Sequence, residues 1–200
     1  MRLRVLALAI GTILVPPAAA SADWHVTPFL GYTFRGSTTV LDPAEGAGRT
    51  HLNAGISVAR LTQNLFGAEA VFVYTPDFFR GKTTNIGPSR SMALMGNLVL
   101  TAPRRWTEFS LRPYVSGGAG LINLSLSEFF SISSGSETVL GYNAGGGAIG
   151  FLSDTTGVRF DLRYYGTLRG ATPSPESPLT LEPTIRVQYW TGSIGLVLRY

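Results

Sequence analysis

The sequence predicts an all-β protein, an eight-stranded antiparallel up-and-down barrel that crosses a membrane with its strands, behind a cleaved leader. Three observations carry this reading. Hydrophobicity alternates with period two in eight segments of about ten residues. Clusters of Gly, Pro, Ser, Thr and Asp separate the segments, and the connections alternate short with long. Composition agrees: 14% of the 200 residues are charged, against about 25% in soluble domains, while 24 are glycine and 11% aromatic. With 44% apolar residues the chain can bury enough surface to order itself, which excludes a disordered protein. The absence of cysteine excludes disulfide scaffolds, thiolate metal centres and thiol nucleophiles.

The first 22 residues read as a secretory signal peptide. Arg2 and Arg4 precede an apolar run, Val5 to Val15, which breaks at Pro16 and Pro17 and ends in Ala20-Ser21-Ala22. That triplet fits the small-residue cleavage rule and places the mature start at Asp23, so the barrel domain spans 23–200. A helical anchor needs about 18 to 25 apolar residues, and the prolines stop this run short. Cleavage removes two of 16 basic residues and none of 12 acidic ones, so the formal charge falls from +4 to +2. Lys82 is the single lysine, and Arg104-Arg105 the single basic doublet, so no basic stripe for nucleic acid is present.

The eight segments follow in order. Trp24 to about Arg35 sets Trp24, Val26, Leu30, Tyr32 and Phe34 against His25, Thr27, Gly31, Thr33 and Arg35. From about Thr50 to Arg60, Leu52, Ala54, Ile56 and Val58 oppose His51, Asn53, Gly55, Ser57 and Ala59. Phe66 to about Thr75 places Phe66, Ala68, Ala70, Phe72 and Tyr74 opposite Gly67, Glu69, Val71, Val73 and Thr75. In Ser91 to Leu100, Met92, Leu94, Leu98 and Leu100 oppose Ala93, Met95, Asn97 and Val99. Leu111 to Ile122 sets Leu111, Val115, Ala119 and Leu121 against Arg112, Tyr114, Ser116, Gly118 and Gly120. The sixth, about Thr138 to Leu152, is glycine-rich and leaves its register open. Gly157 to about Leu168 opposes Val158, Phe160, Leu162 and Tyr164 to Arg159, Asp161, Arg163 and Tyr165. About Thr184 to Tyr200 ends with Ile194, Leu196, Leu198 and Tyr200 opposite Ser193, Gly195, Val197 and Arg199.

Short connections fall at Leu61 to Leu65, Thr101 to Ser110 and Ser153 to Thr156, and long ones at about Gly36 to Arg49, Pro76 to Arg90, Asn123 to Glu137 and Arg169 to Pro183. Three short turns between four long loops, with both termini on the short-turn side, is how an outer-membrane barrel is threaded. Closure satisfies every backbone group where water is absent.

The face rich in Trp24, Tyr32, Phe34, Phe72, Tyr74, Tyr164, Trp190 and Tyr200 reads as lipid-facing, with aromatic girdles at its edges. The opposite face then carries Glu69, Arg112, Arg159, Asp161 and Arg163 into the lumen. An inward ion must be paired, so a network is expected in which Arg112, Arg159 and Arg163 share Glu69 and Asp161. Eight strands enclose only enough room for side chains, so a polar plug is expected, with a gated ion path as the rival. Gly117, Gly118, Gly120, Gly145, Gly146, Gly147 and Gly150 supply bends and space beside large inward side chains.

Other chemistry is sparse. Gly145, Gly147 and Gly150 spell G-x-G-x-x-G but lead into a turn and a strand, not a helix, so no dinucleotide site is predicted. Pro175 and Pro178 belong to a stiff loop. His25 and His51 sit at opposite ends of their strands, too far apart for a metal site, and both face inward, away from any lipid-facing serine hydrolase. No enzyme activity, cofactor or metal is expected.

Several stretches together resemble the small outer-membrane β-barrel domain of Gram-negative bacteria (porin family, OmpA/OmpX-like). They are Gly67–Phe79 (GAEAVFVYTPDFF), Met95–Leu98 (MGNL), Arg112–Ile122 (RPYVSGGAGLI), Gly141–Gly147 (GYNAGGG) and Val158–Tyr165 (VRFDLRYY). The resemblance covers the mature chain and implies the bacterial outer membrane. Gly195, Leu198 and the terminal Tyr200 resemble a last-strand signal, which implies periplasmic chaperones and the barrel-assembly machinery as partners; many relatives end in Phe. Outer-membrane lipids and lipopolysaccharide are further expected partners, the latter through Arg80, Lys82 and Arg90. A monomer is expected. The expected role is structural support of the envelope, or adhesion and recognition by the long loops. Alternatives are a narrow porin for small solutes and a soluble periplasmic lipocalin-like binder.

Overall fold

The computed structural model describes residues 22–38, 50–62, 65–76, 89–103, 111–126, 135–168 and 187–200. Residues 1–21, which hold nearly all of the expected leader, and Arg80, Lys82, Arg104, Arg105, Pro175 and Pro178 lie outside the described residues.

The alternating segments become eight strands: β1 (Ala22–Thr38), β2 (His51–Thr62), β3 (Phe66–Pro76), β4 (Ser89–Thr101), β5 (Leu111–Leu126), β6 (Gly135–Phe151), β7 (Thr156–Thr167) and β8 (Val187–Arg199). Each pairs antiparallel with its chain neighbours, and β8 returns to β1, so the sheet closes without an edge. At the seam, Trp24 donates to the Tyr200 carbonyl (3.2 Å) and Tyr200 to that of Trp24 (2.9 Å). The expected faces hold in the seven strands for which the alternation assigned them, apart from Arg35 at the end of β1. Leu52, Ile56 and Val58 are exposed, for example, while Asn53, Ser57 and Ala59 are buried. The sixth strand, whose register the sequence left open, pairs without a break from Leu111↔Gly150 to Leu126↔Gly135.

The outer wall is apolar: Leu98 is 74% exposed, Phe66 65% and Val115 57%. Between Trp24 and Phe34 the chain takes ten steps, ~33 Å along a strand, or ~25 Å along the membrane normal at a tilt near 40°. That is the height of the apolar band in barrels of this kind. The upper girdle is a contiguous ladder, with ring centroids of Tyr142 and Tyr164 6.1 Å apart and of Tyr164 and Trp190 5.4 Å apart. At the short-turn end the Arg60 guanidinium lies 5.9 Å from the Trp24 ring centroid. A soluble lipocalin-type barrel needs a polar exterior, and this wall rules that alternative out.

Two expectations are corrected. The third long loop is shorter than its polar composition suggested, because β5 and β6 run on as a hairpin to 126 and 135. Its polar residues bond across and along the strands: Asn123 Nδ2 donates to Thr138 Oγ1 on β6 (2.9 Å), and Ser125 Oγ to Asn123 Oδ1 two residues earlier on β5 (3.1 Å). Arg35 is exposed, not inward. The β1–β8 register shifts between Phe34 and Ser37, and Arg35 takes φ 51°, the left-handed region, so the alternation breaks at this bulge.

Candidate functional site: the lumen ion cluster

The lumen is stacked in layers. On the long-loop side an apolar layer includes Val73, Ala93, Met95, Ile122, Leu124, Val139, Tyr165, Val187 and Tyr189, with the Tyr165 and Tyr189 rings stacked at 5.1 Å. On the short-turn side a second layer holds Ala59, Leu61, Val99, Tyr114, Ile149 and Val197. Between them lie the charges.

Four of the five predicted residues meet. Strand β7 supplies Arg159, Asp161 and Arg163 at alternate positions, which the two-residue period turns to one face. Strand β3 supplies Glu69. Arg159 Nη1 lies 2.6 Å from Glu69 Oε1 and its Nη2 2.7 Å from Asp161 Oδ2. Arg163 bridges the same carboxylates, with Nη2 2.7 Å from Glu69 Oε2 and Nε 2.8 Å from Asp161 Oδ1. Two cations and two anions therefore close a neutral, four-membered cluster. Isolated ions so buried would each cost several kcal/mol; alternating them at hydrogen-bond distance offsets that penalty.

Three residues that the alternation turned inward, without assigning them to the network, complete it. Ser57 Oγ donates to Glu69 Oε1 (2.6 Å), Asn97 Nδ2 donates to Glu69 Oε2 (3.0 Å), and the Tyr114 hydroxyl donates to Asp161 Oδ2 while accepting from Arg159 Nε (2.6 Å). The Arg159 guanidinium also lies 4.6 Å from the Tyr114 ring centroid. Pairing register was the missing signal: Asn97 sits directly opposite Glu69, and Gly147 bridges the line from Tyr114 to Asp161.

Arg112 is buried as expected but at a different height. Its Nε donates to the Ala102 carbonyl (3.0 Å), and its Nη2 to the Thr62 carbonyl (2.7 Å) and Thr101 Oγ1 (2.6 Å), tying together connections at the short-turn end. The expected sharing of Glu69 and Asp161 thus falls to Arg159 and Arg163. Of the histidines, His25 is buried with its ring edge-on to Phe151 at 5.8 Å, and the register puts His51 at the far end of the β1–β2 pair. Arg90 is exposed at the long-loop end of β4. In the last strand Gly195 is buried beside Thr27 and Phe29, Leu198 pairs with Val26, and Tyr200 is 78% exposed.

Glycine makes the cluster possible. A Cβ on Gly147 would collide with the Phe160 carbonyl and lie 2.7 Å from the Tyr114 hydroxyl; one on Gly145 would lie 2.7 Å from Arg163 Cγ. The Tyr114 hydroxyl and the Arg163 stem occupy space that a side chain at those two positions would need. A cavity of about 20 Å³ lies beside the cluster, against β1, β2, β3, β7 and β8.

No protein-family profile matches the sequence, and no curated protein does. Solved structures do match. Neisserial surface protein A is 11% identical over 86% of this chain and 95% of that chain, with a TM-score of 0.59. The outer membrane protein OprG from Pseudomonas aeruginosa is 14% identical over 90% and 97%, at 0.58. A major outer membrane protein from Thermus thermophilus is 12% identical over 90% and 100%, at 0.53. With its closed eight-stranded sheet, apolar exterior and charged lumen, the chain has the fold of small outer-membrane β-barrels.

Proposed function

We propose that this protein is a non-enzymatic, non-conducting barrel of the bacterial outer membrane that supports the envelope and holds its long connections at the cell surface for adhesion or recognition. The observation that carries this reading is the closed lumen. An ion entering from either end meets an apolar layer, then a cluster whose charges balance one another, beside cavities of about 20 and 10 Å³. What remains for function is the exterior. The connections 39–50, 77–88 and 168–186 are long and rich in Gly, Ser, Thr and Pro, a composition suited to recognition on a rigid scaffold. Arg90 at the rim, with Arg80 and Lys82 in the second connection, offers cations to lipopolysaccharide phosphates. Export through the periplasm and insertion by the assembly machinery belong to the same reading, as does a monomeric state.

Purified full-length protein in planar bilayers tests it. The expected record is a flat baseline; large, steady conductance steps would replace the plugged barrel with a narrow porin. Replacing 168–186 by a short turn should leave insertion intact and abolish surface binding.

A further inference from the structure

We propose that the cavity beside the ion cluster is a binding site for one neutral, water-sized guest, occupied by a water molecule that links β1 and β2 to Arg163. The cavity is lined by Thr27, Asn53, Asp161, Arg163, Ser193 and Gly195, among others. Three of these carry buried polar atoms without a hydrogen-bond partner: Thr27 Oγ1, Asn53 Oδ1 and Arg163 Nη1, on residues 1%, 1% and 3% exposed. A buried polar atom left unsatisfied is costly, and three around one space indicate a shared partner.

Their chemistry specifies that partner. Arg163 Nη1 only donates, whereas Asn53 Oδ1 only accepts, its Nδ2 being engaged with Thr33 Oγ1 at 3.0 Å. The Thr27 hydroxyl does either. The guest must therefore accept one hydrogen bond and donate one, with a third in either sense, which matches the three bonds typical of buried water. An ion is excluded by charge, because Glu69 and Asp161 already balance Arg159 and Arg163. The cavity, about 20 Å³, is of a size suited to a water-sized guest. The site also lies beside an interruption in the β1–β8 pairing. The β1–β8 pairing passes from Val26↔Leu198 to Phe29↔Gly195, skipping Thr27 and Pro28, the latter having no N–H to give.

The test uses isotope-labelled full-length protein refolded in detergent micelles. Water cross-peaks to the Asn53 side-chain amide and the Thr27 methyl, of the sign given by a long-lived bound water, are expected in the native protein. Thr27→Val supplies a second reading of opposite sign for the two cases. If water satisfies the hydroxyl, the substitution loses a hydrogen bond and raises the unfolded-to-folded ratio about fivefold. If the cavity is dry, it removes an unsatisfied group and lowers that ratio. Missing cross-peaks together with a stabilised Thr27→Val overturn the proposal; a stability that depends on which halide is present would overturn the neutral guest.

Discussion

The wall of β5 and β6 and the strand β7 beside it face one lumen with opposite equipment. The first presents Gly118, Gly120, Gly145 and Gly147; the second presents Arg159, Asp161, Arg163 and Tyr165. Register sets them against each other, Gly145 beside Arg163 and Gly147 beside Asp161. An eight-stranded barrel has no space for large side chains on every wall, so long charged groups on one strand require bare backbone on the next. Glycine, unfavourable in an ordinary strand, is here the complement of arginine.

Breaking the charged side should have the largest effect. Arg159→Leu removes a partner from both Glu69 and Asp161, and a loss of about 3–5 kcal/mol is expected in urea unfolding of protein refolded into phospholipid vesicles. Pairing it with Glu69→Leu restores neutrality, so the double variant should lose clearly less than the sum of the two single changes. Strict additivity would mean that the cluster does not act as a unit. On the bare side Gly147→Ala forces its new methyl against the Phe160 backbone and the Tyr114 hydroxyl, and a loss of about 1–3 kcal/mol is expected in the same assay. The smallest effect sharpens the comparison. Gly117 belongs to the same wall but faces out, where an added Cβ meets only the Asn143 carbonyl at 3.6 Å, and its φ is not positive. Gly117→Ala should therefore stabilise by about 0.4–1 kcal/mol through the unfolded chain. A loss comparable to that at Gly147 would show that the wall rejects any side chain, whichever way it points.

Strand number, closure and the two faces were legible in the sequence, because a two-residue period decides inside from outside on its own. Glu69, Arg159, Asp161 and Arg163 were legible for the same reason. Height along the barrel was not. Period two places Arg112 in the lumen but does not reveal that it sits a layer below the carboxylates, since height depends on cross-strand register. Tyr114, Ser57 and Asn97 went unassigned for that reason too: each is an ordinary inward residue until its neighbour strand is aligned. The polar tip of the β5–β6 hairpin misled in another way. Asn123 and Thr138 have loop-like composition, yet above the apolar band nothing prevents polar side chains from pairing across strands.

The ion cluster also ties distant parts of the chain to closure of the cylinder. Arg159, Asp161 and Arg163 are two residues apart and travel together with one positive charge in excess. The charge that cancels it, Glu69, stands 94 residues earlier in the chain than Arg163. Until β7 is in place, Glu69 has neither of its two guanidinium partners. Mutual neutralisation exists only when β3 and β7 share one enclosed space, so the cluster forms only as the cylinder closes.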